Sequence, residues 1–379
     1  MSVAEQYVEL CLRLARHDDE LVDFYFGPRE IAERVEQEPL REPNQLAADA
    51  RNLAEDTDSA YLRAQLRGLE IVARKLAGEE IPYADEVEGC YGTRAELVPE
   101  ARFEEAHRAL DELLPPGDTL AERYQLWDDG DAVPPDKLER VLRTLAERLR
   151  EKTLELFGLP DGENFELELV SDKHWEGFND YRGGLRSRVE VNTDLPVSSK
   201  SAVALVAHEL YPGHHTERVW KEQLLYAGRD QLEESVLVYG TPQSVITEGI
   251  ATLAVGLVVD EHGDLVADAL RECGVAYDPE LARRIRQAAK PLDSAMANAA
   301  ILLHVDGVSA DDAQEYLQRW ELSSPERAAK HVEFVTDPWG RAYIRTYTDG
   351  YELCRGWVDG DPGRFKRLLT EQLTPADLQ

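Results

Sequence analysis

Three histidines and a glutamate crowd the stretch Ala207-His208-Glu209-Leu210-Tyr211-Pro212-Gly213-His214-His215. An apolar run, Ala202-Val203-Ala204-Leu205-Val206, precedes it and reads as a buried helix that carries His208 and Glu209 inward. A buried imidazole beside a buried carboxylate is costly unless each has a partner, and a divalent metal serves both. The spacing is close to H-E-x-x-H, in which two histidines at i and i+4 share a helix face and bind zinc while the glutamate activates water. Here Pro212 stands where the second histidine belongs. On a regular helix a residue six positions past His208 points about 120° away, and one seven past lies roughly 10 Å up the axis. The helix must therefore deform. Pro212-Gly213 is where it can, since proline removes a helix hydrogen bond and glycine tolerates unusual dihedrals. With that pair bulged out, His214 takes the second-ligand place. His215 is then a rival ligand, or a donor that orients a ligand or the substrate.

Such a site needs an acidic third ligand from another helix. Glu248 is the one charged residue between Thr241 and Val259, so its helix would bury it. Unpaired, it would have to stay protonated or cost several kcal/mol, and ligation removes that cost. The expected ligands are thus His208, His214 and Glu248, holding one zinc per chain. Zinc lowers the pKa of its water to about 7, and Glu209 is placed to take the proton as general base.

His208-Glu209-x-x-Pro212-Gly213-His214-His215 followed by Glu248-Gly249 resembles the H-E-x-x-P-G-H-H signature of a bacterial family of unassigned function, domain-of-unknown-function family 885. That family is held to be similar in fold to the Taq-type metallocarboxypeptidases. Trp175, Asn179 to Gly184 and Val191-Asn192-Thr193 resemble its glycine-turn and strand segment, and Tyr347-x-x-Gly350 its Tyr-x-x-Gly helix. Residues 82–92 are weakly like its N-terminal helical half. The resemblance spans about residues 80–370 and is most specific from about 175 to 250. The chain departs from it in being shorter and in carrying Thr216-Glu217, where relatives have a hydrophobic residue and Gln. The resemblance implies a large helical zinc peptidase with a deep cleft, carboxypeptidase-like in action.

On that reading Tyr347, with Tyr343 and Tyr351 a helical turn to either side, is the expected donor to the oxyanion. Residues 186–193 alternate as an edge strand able to pair with an extended peptide. Arg186, Asn192, Arg345 and Tyr351 are the expected substrate-binding residues, with Arg182 and Arg341 further candidates to clamp a carboxylate. His174 with Trp175 is expected to border the cleft. The substrate is a peptide or a small amide; a metal-binding protein without turnover is the non-enzymatic alternative.

The elements that must position these residues are mostly helical. Apolar residues recur at helical spacing from Val8, over 48–77, 138–157, 244–259 and 280–304, and over 341–358. Period-two alternation is confined to 165–170 and 186–193, read as a small antiparallel sheet just before the motif helix. The expected fold is mainly α: one catalytic domain over 1–379, with a helical half (1–160), a half holding sheet and metal-site helix (161–379), and the cleft between. A formal charge of −33, from 75 acidic and 42 basic residues, argues against nucleic acid and anionic membranes as partners. No basic-then-apolar start and no apolar run near about 18 residues are visible, and the four cysteines lie far apart. A reducing cytoplasm is the expectation.

Overall fold

The computed structural model describes residues 2–173 and 175–379; His174, expected at the cleft edge, lies outside them. Most of the described chain is helical, as its periodicity requires. In the long helix Pro135–Phe157, Leu138, Val141, Leu142, Leu145 and Leu149 fall on one buried stripe, and Pro135 sits where its missing N–H costs nothing. The motif helix, Ser199–Glu209, begins at Ser198, whose hydroxyl accepts from the Ser201 N–H. Its Ala202, Val203, Val206 and Ala207 join one core with the long helix and with Leu167, Val189 and Val191 of the sheet. Ala204, Leu205 and His208 are left to face a cavity.

The sheet is β2 (Asn164–Val170), β3 (Gly177–Tyr181) and β4 (Arg186–Asn192), in the order β2-β4-β3. A two-stranded antiparallel ribbon pairs β1 (Val22–Tyr25) with β5 (Val236–Val238). The expected antiparallel pairing of the two alternating segments is corrected here, because β2 and β4 run parallel and only β3 opposes β4. Alternation marks a strand but not its partner, and β3 carries no alternation long enough to read. The correction also removes β4 as a docking edge, since it is the central strand. The β3–β4 hairpin turns through Gly183, Gly184 and Leu185, all at positive φ, with Glu222 accepting from the Gly184 and Leu185 N–H groups at 2.9 and 3.2 Å.

Two expected helices are interrupted. Residues 48–77 divide into Pro43–Asp56 and Ala60–Leu76, with Ser59 capping the second. The span 280–304 breaks at the 3₁₀ turn Lys290–Asp293, where Pro291 withholds an N–H. The helix bearing Glu248, Pro242–Glu261, starts with proline at its first turn and is buried along most of its length. Among the described residues it is the one helix long and apolar enough to cross a membrane, and most of it lies inside the fold. It crosses the tyrosine helix, Gly340–Val358, at Gly249 and Gly350. A methyl group on either glycine would strike backbone of the other helix, so the crossing exists only with glycine on both sides.

Candidate metal centre

The motif helix stops at Glu209. Leu210 leaves helical dihedrals (φ −116°, ψ −86°), the Tyr211–Pro212 peptide is cis, and a new helix runs His214–Lys221. Gly213 packs on the end of the first helix so closely that a Cβ there would overlap the carbonyl groups of Ala207 and His208. Thr216 closes the turn, its N–H and hydroxyl reaching the Leu210 carbonyl at 3.3 and 3.1 Å. The deformation expected at Pro212-Gly213 is therefore present, as a clean break between two helices and not as a bulge in one.

That break brings His214 beside His208, with ring centroids 4.7 Å apart and planes at 90°. Glu248 meets both: its Oε2 lies 3.4 Å from His208 Nε2 and its Oε1 lies 3.8 Å from His214 Nε2. Ligand atoms of all three residues fall within 4.8 Å of one another. Two atoms each about 2.0–2.1 Å from one zinc stand roughly 3.3 Å apart in a tetrahedron, so this donor set fits a single ion. The chemistry agrees, because Glu248 Oε2 is buried and has no hydrogen-bond partner. Tyr343 donates to Glu248 Oε1 at 2.8 Å and fixes the carboxylate from behind. Burial raises the Glu248 carboxyl, but the neighbouring His214 and His208 imidazoles and the Tyr343 hydroxyl outweigh it and hold the group below its ordinary range. Burial drives the His214 imidazole well below its ordinary range, so it is a neutral donor.

The cluster opens into a cavity of about 970 Å³ whose wall includes Glu209, Tyr343 and Tyr347. Glu209 is largely buried, and its carboxylate has no hydrogen bond to protein among the described residues. Its backbone is held instead, by Asn179 Nδ2 donating to the Glu209 carbonyl at 2.5 Å. Burial pushes the Glu209 carboxyl up to about 7; Glu248 and Asp23 add to the rise, and His208 and Arg218 oppose it. A carboxyl tuned there can accept and return a proton near neutral pH. Tyr347 lies against Tyr343 (ring centroids 5.6 Å) with 36% of its surface open to solvent.

Two solved structures share the fold. One is described as a "putative lipoprotein" from Colwellia psychrerythraea (TM-score 0.58, 14% identity, covering 89% of this chain and 66% of that one). The other is described as a "putative lipoprotein of unknown function" from Shewanella oneidensis (TM-score 0.51, 12% identity, 96% and 76% covered). This chain therefore spans just under two thirds of the Colwellia protein's length. An M32 carboxypeptidase from Deinococcus radiodurans R1 also matches, at TM-score 0.37 and 14% identity over 97% of this chain and 87% of that one. No protein-family model matches the chain, and neither does any curated protein.

His215 points away from the cavity and is fully buried. Its Nε2 lies 2.8 Å from Glu163 Oε2 and its Nδ1 lies 2.7 Å from Ser187 Oγ. Burial raises the Glu163 carboxyl, but hydrogen bonds from His215 and Tyr211 and the charge of Arg150 bring it below its ordinary range. An ionised Glu163 only accepts, so His215 Nε2 bears the proton and Ser187 donates to Nδ1. Burial lowers the His215 imidazole, and Glu163 reverses this only in part. The unfolded chain then binds the extra proton first, near pH 6.5, so this residue's share of stability falls as pH drops. Chemical denaturation from pH 8 to pH 5 should find the stability gap between wild type and His215→Gln narrowing below about pH 6.5. A gap that is constant or widens would contradict the assignment.

The four residues expected to bind substrate do not line the cavity. Arg186 is exposed at the start of β4. Asn192 donates to the Lys173 and Trp175 carbonyls, both at 3.0 Å, and so braces the loop that presents Trp175 to the cavity. Arg345 is buried against Asp349 and the Arg94 and Glu96 carbonyls. Tyr351 is buried beneath the Lys290 ammonium, 3.8 Å from its ring centroid. Of the other candidates, Arg341 pairs with Glu86 and Arg182 with Asp180. Helical spacing placed Tyr343, Tyr347 and Tyr351 on one side, but their helix turns enough for the neighbours to differ. Sequence reasoning also missed Asp23 and Tyr239 on the cavity wall, where Asp23 accepts from Tyr239 and from Arg218 at 2.9 Å each. Arg218, four residues past His214, carried a spacing signal; Asp23 carried none.

Proposed function

We propose that the chain is a metal-dependent hydrolase that cleaves an amide bond of an extended peptide, with Glu209 as general base. The observation that carries this is the Glu209 carboxylate, unpaired in the cavity wall beside the converging His208, His214 and Glu248. Those three residues would hold zinc, which supplies a Lewis acid and a water of lowered pKa. Glu209 takes the proton of the attacking water and returns it to the leaving amine. The Tyr347 hydroxyl, on the cavity wall, is a donor within the cavity for the oxyanion.

A peptide substrate is supported by β3. Arg182 N donates to Arg186 O and Asn192 N to Glu176 O, which turns the N–H and C=O of residues 176, 178, 180 and 182 toward β4. Gly177 and Asn179 therefore present theirs on the outer side of an outer strand, and both line the cavity. A Cβ on Gly177 would lie 3.4 Å from Glu209 Oε1, so β3 passes within contact distance of the base. An extended chain paired with β3 would lay its amide bonds along Glu209. Digestion of a peptide library with zinc-loaded protein, read by mass spectrometry, should give discrete cleavage products and their exo or endo pattern. An intact library alongside turnover of small amides would refute the peptide reading.

A further inference from the structure

Behind the metal cluster, on the side of the turn away from the cavity, one buried carboxylate holds both flanks of Pro212-Gly213. Glu163 Oε2 accepts from the Tyr211 hydroxyl at 2.6 Å and from His215 Nε2 at 2.8 Å. Tyr211 precedes the pair and His215 follows His214, so a single oxygen ties the chain just before and just after the break. Glu163 Oε1 accepts from Arg150 Nε at 2.6 Å, which anchors the carboxylate to the long helix Pro135–Phe157. On the far side, Ser187 joins His215 to the central strand β4 at 2.7 Å. The side chains of Glu163 and His215 are 0% exposed, so water offers neither a substitute partner. The result is a continuous polar chain, Arg150–Glu163–His215–Ser187 with Tyr211 as a branch, running from helix to sheet beneath the turn.

We infer that Glu163 is a positioning residue for the metal cluster, setting where His214 stands relative to His208. His214 lies inside the segment that Glu163 clamps, and its own Nδ1 has no hydrogen-bond partner to orient it. Backbone placement by its neighbours is therefore what aims its Nε2 at Glu248. The Pro-Gly turn leaves the motif helix with few helical bonds of its own here, so side-chain bonds to Glu163 do the work that the i→i−4 ladder does in an uninterrupted H-E-x-x-H helix. This inference rests on the reading that His208, His214 and Glu248 bind a metal.

The test uses Co²⁺ as probe in the full chain, with affinity from chelator competition and coordination from the visible absorption of the bound ion. Wild type should bind one Co²⁺. Glu163→Ala, which leaves Tyr211, His215 and Arg150 without their acceptor, should stay helical by circular dichroism, lose affinity about tenfold or more and show an altered spectrum. Glu163→Gln keeps the shape, and its amide can serve Tyr211 and a His215 of the other tautomer, so it should restore most of the affinity. If Glu163→Ala does not fold, Tyr211→Phe carries the same test, with an expected loss of about threefold. A folded Glu163→Ala, or failing that Tyr211→Phe, with wild-type affinity and spectrum would overturn the inference while leaving the hydrolase reading standing. Wild type that takes up no Co²⁺ would overturn both.

Discussion

Glu209→Gln is expected to lower hydrolysis by about 10²–10⁴-fold while the chain keeps its metal. Glutamine matches the shape of the side chain but cannot take a proton from water. The exchange strands no protein partner, because the Glu209 carboxylate has none among the described residues and Asn179 holds only its backbone carbonyl. His208, His214 and Glu248 are untouched, so metal stoichiometry should match wild type. Stability gives a second readout in metal-free protein. The Glu209 carboxyl rises from an ordinary 4.5 to about 7 in the fold. The folded state thus binds more protons across that window, and wild type loses stability as pH rises through it. Glutamine has no such loss, so the variant should be the more stable of the two above about pH 7. Retained turnover in a metal-loaded Glu209→Gln protein would remove Glu209 from the chemistry.

Gly350→Ala is expected to cause a large loss of stability, because the added methyl group meets the backbone of a second helix. Its Cβ would overlap the Val245 carbonyl and lie 3.0–3.1 Å from Gly249 N and Cα. These are backbone atoms of the Glu248 helix and cannot rotate aside, so the helices must part. Overpacking of this kind costs about 3 kcal/mol or more when nothing flexible can yield. Parting them also draws Tyr343 away from Glu248 Oε1, which it now bonds at 2.8 Å. Metal affinity should therefore fall along with the denaturation midpoint. Gly356→Ala on the same helix is the control, since nothing lies within 4 Å of a Cβ there. It should stabilise by up to about 1 kcal/mol through helix propensity. Equal effects at the two positions would mean that the close crossing does not set the stability.

The Glu248-Gly249 and Tyr347-x-x-Gly350 motifs, four residues of two distant segments, thus describe one object, the crossing of two helices over the metal cluster. Their glycines were legible in the sequence but their shared purpose was not, because a close backbone approach is a property of pairs. The same limit explains the sheet. Alternation in 165–170 and 186–193 identified two strands, yet the intervening β3 decides their relative direction and takes the cavity edge. The motif itself was the most legible part, since Pro212-Gly213 between His208 and His214 allows few arrangements and Glu248 is conspicuous on an apolar helix. Buried partners such as Glu163 and Asp23 left no trace, because an acidic residue is unremarkable among 75 until its neighbours are known. The arginines misled for the reverse reason: in so acidic a chain Arg345 and Arg341 each meet a local carboxylate, and neither reaches the cavity.

Metal content of the chain purified without chelator tests the central claim most directly. One zinc per chain is predicted, with the metal lost in Glu248→Ala and kept in Glu209→Gln. A wild-type chain that carries no metal and binds none when zinc is added would contradict the account of this site.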